Sequence, residues 1–80
     1  MNWREHIHAD SAILTGKPIV KGTRLSVEFI VGRLANGWTE EEILENYAGL
    51  TKENLQAVYA FTYELLQDSL LYPPANRQAA

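Results

Sequence analysis

A basic, turn-rich stretch near the N-terminus carries the residue types best suited to contacting phosphate. Residues 16–24 hold three of the seven Lys and Arg residues of the chain, together with two glycines and a proline. Glycine and proline at this density exclude a regular helix. Lys17, Lys21 and Arg24 are therefore candidates for following DNA phosphates or entering a minor groove. The alternative is that Arg24 binds helix carboxylates while both lysines stay in solvent.

Other groupings of chemically active residues are weaker. Gly16-Lys17 lacks the phosphate-binding loop pattern, because Pro18 follows the lysine and no glycine lies five residues before Gly16. His6 and His8 would share one face of a strand, but no third ligand follows at a metal-site spacing. The spacing offers no nucleophile with a base and no paired-carboxylate cleft, and a domain this small has few walls to exclude water. We therefore expect no enzyme, no metal or other cofactor, and no small-molecule substrate.

The composition indicates one small domain. The chain has 80 residues, a net charge of −3 and no cysteine. It buries about 60–65% of its unfolded surface without a disulfide to compensate, which favours a homodimer. Its apolar runs are too short to span a membrane and its N-terminus lacks a signal-peptide core, so we expect a cytoplasmic protein. The negative charge opposes non-specific nucleic-acid binding, but the acidic residues concentrate in the C-terminal half and leave a basic face possible in the N-terminal half.

The elements that would position these residues follow from caps and periodicity. Residues 4–8 and Ile19-Val20 favour a short N-terminal β-hairpin. Ser26 is predicted to cap a helix that runs to about Ala35 and ends at Asn36-Gly37. The helix has a single apolar stripe formed by Val27, Ile30, Val31 and Leu34.

Two further helices are predicted. Thr39 and Glu42 have the spacing of a capping box and start a short helix. After a glycine-containing break, Thr51 caps the longest helix, which is predicted to run to about Leu71 before Pro73-Pro74 stops it. Its predicted core stripe is Leu55, Val58, Tyr59, Thr62, Leu65, Leu66 and Ser69.

The short helix, turn and long helix, at roughly residues 39–71, have the pattern of a helix-turn-helix. In such motifs the first residues of the second helix contact base edges. Asn and Gln can read adenine, and Lys can read guanine or phosphate. The candidates here are Thr51, Lys52, Asn54 and Gln56. The alternative is a plain three-helix unit in which these residues are exposed caps.

A second face of the long helix is also apolar and predicts a dimer or partner interface. Its residues lie off the core stripe: Ala57, Phe61, Tyr63, Leu70 and Leu71. The alternative is that this face packs against the N-terminal arm.

The run from Gly16 to Val27, GKPIVKGTRLSV, closely resembles the signature of the domain of unknown function 433 family. Asn36-Gly37, residues 41–47 and Gly49-Leu50-Thr51 extend the resemblance to about residues 4–66. The resemblance implies a mainly α, homeodomain-like three-helix fold with an N-terminal β arm, in prokaryotes. It also implies the antitoxin half of a toxin–antitoxin pair, with a PIN-like ribonuclease as the toxin.

These observations predict an N-terminal β arm (1–25), a three-helix helix-turn-helix domain (26–72) and a flexible tail (73–80). The predicted function is a DNA-binding antitoxin that binds its own operator and neutralises a PIN-like ribonuclease. The alternative is a dimerisation or protein-interaction module without DNA binding.

Overall fold

A computed structural model of the protein describes residues 1–9 and 16–68 and is mainly helical. Leu70, Leu71 and the predicted tail therefore lie outside the described residues. One turn of 3-10 helix at Trp3–Glu5 precedes two strands and three α-helices. These elements are β1 (Ile7–His8), β2 (Ile19–Val20), α1 (Val27–Ala35), α2 (Glu40–Asn46) and α3 (Lys52–Gln67).

The two strands pair antiparallel, with Ile7 opposite Val20 and His8 opposite Ile19. The predicted pairing of the N-terminal segment with Ile19-Val20 is confirmed, but a strand over residues 4–8 is wrong. The Asn2 side chain accepts a hydrogen bond of 3.2 Å from the Arg4 amide and starts the 3-10 turn instead. The strand is thereby shortened to two residues.

Helix α1 begins and ends as its capping residues predict. Ser26 Oγ accepts a 3.0 Å hydrogen bond from the Phe29 amide. Asn36 is the C-cap, and Gly37 follows with a φ of 95°, a left-handed conformation that glycine adopts without steric cost.

Helices α2 and α3 both begin with a reciprocal capping box. Thr39 and Glu42 exchange hydrogen bonds of 2.9 and 3.1 Å, which confirms the predicted box. Thr51 and Asn54 exchange bonds of 3.0 and 3.1 Å at the start of α3. Helix α3 ends at Gln67 with Asp68 as its C-cap, and the predicted end near Leu71 lies outside the described residues.

Both strands and all three helices contribute to one hydrophobic core. Its buried members are Ile7, Val20, Val27, Ile30, Ile43, Leu50, Leu55, Ala57 and Val58. In the described ranges no helix is both long enough and apolar enough to cross a membrane.

The core stripe predicted for α3 is correct in its first half and wrong in its second. Leu55 and Val58 are buried, but Tyr59, Leu65 and Leu66 are 39, 53 and 39% exposed. The buried face turns instead toward the arm through Ala57 and Phe61. Tyr59 and Leu66 instead line an open groove beside α1.

Candidate nucleic-acid interface

The turn that carries Arg24 is internally braced. Gly22 has a φ of 81°, and Thr23 Oγ1 donates a 2.8 Å hydrogen bond to the Val20 carbonyl. The same oxygen accepts a 3.0 Å bond from the Leu25 amide. These bonds fix the backbone on both sides of Arg24 and direct the chain from β2 into α1.

This turn packs against the turn between α2 and α3. A Cβ placed on Gly49 would lie 3.3 Å from Thr23 Cγ2, so the two turns are in close contact. Gly49 precedes the α3 N-cap, Thr51, by two residues. The basic arm and the first turn of α3 therefore meet at one end of the molecule.

Most of the polar residues predicted for this end are exposed. Lys21, Arg24, Thr51, Lys52 and Gln56 all face solvent. Lys21 Nζ donates a 2.9 Å hydrogen bond to the Arg4 carbonyl. Arg24 makes no hydrogen bond or ion pair with any described residue, so the predicted alternative of a helix carboxylate partner is not observed there.

Asn54 is not an exposed base-reading residue, and that prediction is corrected. Its side chain is 9% exposed, its Oδ1 accepts from the Thr51 amide, and its Nδ2 lies 3.3 Å from His6 Nδ1. Both ends of the amide are thus used by the fold, because Asn54 closes the capping box and joins α3 to the arm.

We expect Asn54→Ala to lower the free energy of unfolding by about 1–3 kcal/mol, because it leaves buried polar groups without partners. Gln56→Ala, on the exposed side of the same turn, should stay within about 0.5 kcal/mol of the wild type. Urea unfolding followed by circular dichroism measures both. Equal effects of the two substitutions would contradict the structural role of Asn54.

Lys17 lies against α1 and not against α3. Its Nζ is 3.1 Å from Glu28 Oε1, and both side chains are mostly exposed. Of the predicted cationic residues, Lys17 is therefore the one that contacts the first turn of α1, while Lys21 and Arg24 belong to the turn beside α3.

The two histidines do not share a strand face. His6 is the C-cap of the 3-10 turn and meets Asn54, whereas His8 lies in β1. Within residues 1–9 and 16–68, no group of three or more His, Cys, Asp or Glu side chains is placed to hold a metal.

Of the residues predicted for a partner interface, Ala57 is buried and Phe61 is half-buried. Ala57 has no exposed surface, and Phe61 meets Trp3 edge to face with ring centroids 4.7 Å apart. Trp3 Nε1 also donates a 3.3 Å bond to Glu64. At Phe61 this face of α3 therefore packs against the N-terminal arm, as the alternative predicts.

An apolar groove remains open between α1 and α3. It has a volume of about 460 Å³ and is lined by Val31, Leu34, Ala35, Tyr59, Thr62, Tyr63 and Leu66. Tyr63, a predicted interface residue, lines it and is 65% exposed. The other three α3 residues of the groove were predicted to be core. Periodicity does not separate these groove residues from core residues, because both kinds belong to one apolar stripe.

One titratable group at the edge of this groove is perturbed. Partial burial, together with a 2.5 Å hydrogen bond to Glu40, raises the pKa of the Tyr59 phenol to about 12. The phenol therefore stays protonated over the whole neutral range and donates to the carboxylate, which links α3 to α2.

Comparison with known proteins gives a family and no function. One family profile, described as a protein of unknown function (DUF433), matches residues 7–62. A search of curated proteins and a search of solved structures each found no match.

Proposed function

The chain belongs to the DUF433 family, and we propose that it is a DNA-binding antitoxin that regulates its own operator in a prokaryotic toxin–antitoxin pair. In this proposal α2, the turn and α3 act as a homeodomain-like helix-turn-helix. The first turn of α3 contacts base edges, and the turn at Lys21 to Arg24 contacts phosphate.

The contact between Thr23 and Gly49 is the observation that carries the proposal. Arg24 adjoins Thr23, and Lys52 follows Gly49 by three residues, so both cations belong to the same end of the molecule. Arg24 is exposed, and its guanidinium has no carboxylate partner in the described part of the chain. A guanidinium in this state suits bidentate contact with a phosphate.

The first two turns of α3 supply groups that can read bases. Lys52 and Gln56 are four residues apart, so they lie on one face of the helix, and both are exposed. The glutamine amide can bind adenine through two hydrogen bonds, and the lysine can bind guanine or phosphate. Glu53 lies beside them and the net charge is −3, so binding depends on a few specific cationic contacts.

Charge-removing substitutions test this surface. We expect Arg24→Ala and Lys52→Ala each to weaken binding to the protein's own upstream DNA. Each should also reduce the magnitude of the negative slope of log K against log salt by about 1. Fluorescence anisotropy over a salt series measures both quantities. Gln56→Ala should instead reduce discrimination between the cognate site and a scrambled site, by about 1–3 kcal/mol for one lost bidentate contact.

Arg4→Gln is the matched control for charge. It removes the same single charge, but Arg4 pairs with Glu64 at 3.3 Å in the C-terminal half of α3. It should leave the salt slope unchanged. If Arg4→Gln weakens binding as much as Arg24→Ala does, the proposed surface is wrong.

The toxin-neutralising part of the proposal is supported by the family resemblance alone. Its expected partner is a PIN-like ribonuclease encoded by the adjacent gene. Purified protein should form a complex with that ribonuclease and suppress its cleavage of RNA. Full RNA cleavage in the presence of excess protein would contradict the proposed neutralisation of the ribonuclease. It would not contradict the proposed regulation through DNA binding.

A second candidate function is a homodimerisation module that does not contact DNA, and the apolar groove between α1 and α3 favours it. A second copy of the chain is the proposed occupant. Tyr63 and Leu66 are exposed and also line the groove, so one surface supplies both the projecting groups and the cavity. A two-fold symmetric dimer requires such a self-complementary surface.

Two neighbouring leucines provide the test of the dimer. We expect Leu66→Glu to convert a dimer to a monomer, because it places a charge in the groove, whereas Leu65→Glu should leave the dimer intact. Leu65 is exposed but does not line the groove. Light scattering measures the mass. A monomeric wild type, or a Leu66→Glu protein of unchanged mass, would contradict the dimer.

A further inference from the structure

The Arg33 side chain is held in a fixed orientation by aromatic rings. Its Cζ lies 4.8 Å from the centroid of Phe29 and 5.0 Å from that of Trp38. Tyr47 packs edge-on to Phe29 at 5.4 Å and stacks on Trp38 at 6.2 Å, which braces both rings. A planar guanidinium restrained in this way loses little entropy when it binds an anion.

The charge of Arg33 is not neutralised within the described part of the chain. The guanidinium makes no ion pair there, and its Nε is buried without a hydrogen-bond partner. Aromatic faces attract a cation, but they do not replace the hydrogen bonds that guanidinium donors make with oxyanions. Arg33 is thus oriented while its outer donors have no partner among residues 1–9 and 16–68.

Arg33 lines an open cleft of about 480 Å³ along α1. Lys17, Ser26 and Glu28 line the same cleft. The exposed Lys17–Glu28 pair contributes little free energy, so Lys17 can exchange its carboxylate for another anion. Ser26 Oγ accepts from the Phe29 amide and keeps its own hydroxyl hydrogen to donate.

The donors are distributed along the helix. Arg33 follows Ser26 by seven residues, which is about 10 Å of helical rise. A DNA strand presents a series of phosphates along its length, so donors separated by this distance can contact more than one phosphate. The spacing suits a row of phosphates better than a single small anion.

We propose that this cleft is a second contact surface for the phosphates of a nucleic-acid strand, with Arg33 and Lys17 as the phosphate-binding residues. The proposal rests on the proposed function in taking DNA as the ligand. It depends on different residues, because neither Arg33 nor Lys17 belongs to the turn beside α3.

Three substitutions test the cleft with the duplex of the protein's own upstream DNA. Arg33→Met keeps the unbranched stem between the rings and removes the charge, and we expect about tenfold weaker binding for the loss of a charge-assisted contact. Lys17→Gln should weaken binding less. Each change should reduce the magnitude of the slope of log K against log salt by about 1. Glu28→Gln should strengthen binding, because it releases Lys17 and removes a repelling carboxylate.

A direct readout comes from the Arg33 Nε–H signal in ¹H–¹⁵N spectra of the wild type. DNA should shift this signal, and inorganic phosphate at the same phosphate concentration should shift it less. A shift with free phosphate and none with DNA would assign the cleft to a small anion and overturn the proposal.

The outcomes separate this inference from the proposed function. If Arg33→Met and Lys17→Gln bind like the wild type while Arg24→Ala binds weakly, the cleft is not a contact surface and the proposed function stands. If the wild type binds no DNA, both proposals are wrong. If Arg33→Met does not fold, the binding of Lys17→Gln and Glu28→Gln tests the cleft instead. Both residues are exposed, so their substitution should not disturb the fold.

Discussion

Ile43→Ala is expected to lower the free energy of unfolding by about 2–5 kcal/mol, the range for removing a buried isoleucine and leaving a cavity. Ile43 is fully buried and is the one buried residue of α2. The substitution therefore creates a void and also loosens the helix that leads into the α2–α3 turn. At about 0.05–0.15 kcal/mol per residue, this loss is a large fraction of the stability of so small a domain.

Urea unfolding of Ile43→Ala beside Leu65→Ala gives the comparison. Leu65 is also a large aliphatic residue, but it is 53% exposed, so its truncation should cost far less. Similar losses for the two variants would mean that α2 does not depend on Ile43 for its attachment to the core.

Phe61→Glu is expected to destabilise the fold by about 2–4 kcal/mol, because it removes an aromatic contact and places a carboxylate in a largely apolar site. Phe61 is half-buried against Trp3, whose indole also binds Glu64. The new carboxylate would lie near that glutamate as well. The substitution should therefore detach the N-terminal arm from α3.

Tyr63→Glu is the matched comparison, since Tyr63 lies two residues further along α3 and is 65% exposed. It should change the free energy of unfolding by less than about 1 kcal/mol. Unfolding curves together with the mass in solution distinguish the two roles of the helix. A stable Phe61→Glu protein with a smaller mass in solution than the wild type would indicate that Phe61 lies in a partner interface.

The local features of the fold could be predicted from the sequence because each rests on neighbouring residues. Ser26 and Thr51 cap their helices through backbone amides three residues ahead, and Thr39 with Glu42 forms a box of the same span. The starts of the three helices follow from such signals. The candidate interface could also be predicted in part, because the clustering of Lys and Arg residues in residues 16–24 can be seen in the sequence.

The features that were missed depend on contacts between residues distant in sequence. Asn54 meets His6 across 48 positions, and that contact withdraws it from the surface. Trp3 packs on the face of α3 that carries Phe61, a contact between the N-terminal arm and the last helix. Arg33 is a different case: Phe29 and Trp38 are near it in sequence, but its position between them depends on how the turn after α1 places Trp38. Periodicity along one helix contains none of this information.

The most direct test of the central claim is anisotropy binding of the wild-type protein to its own upstream DNA, with a scrambled duplex as control, at low and physiological salt. The DNA-binding account predicts tighter binding to the upstream duplex and a steep loss of affinity as salt rises. Equal binding to both duplexes, or no binding at low salt, would contradict it and favour the dimerisation module.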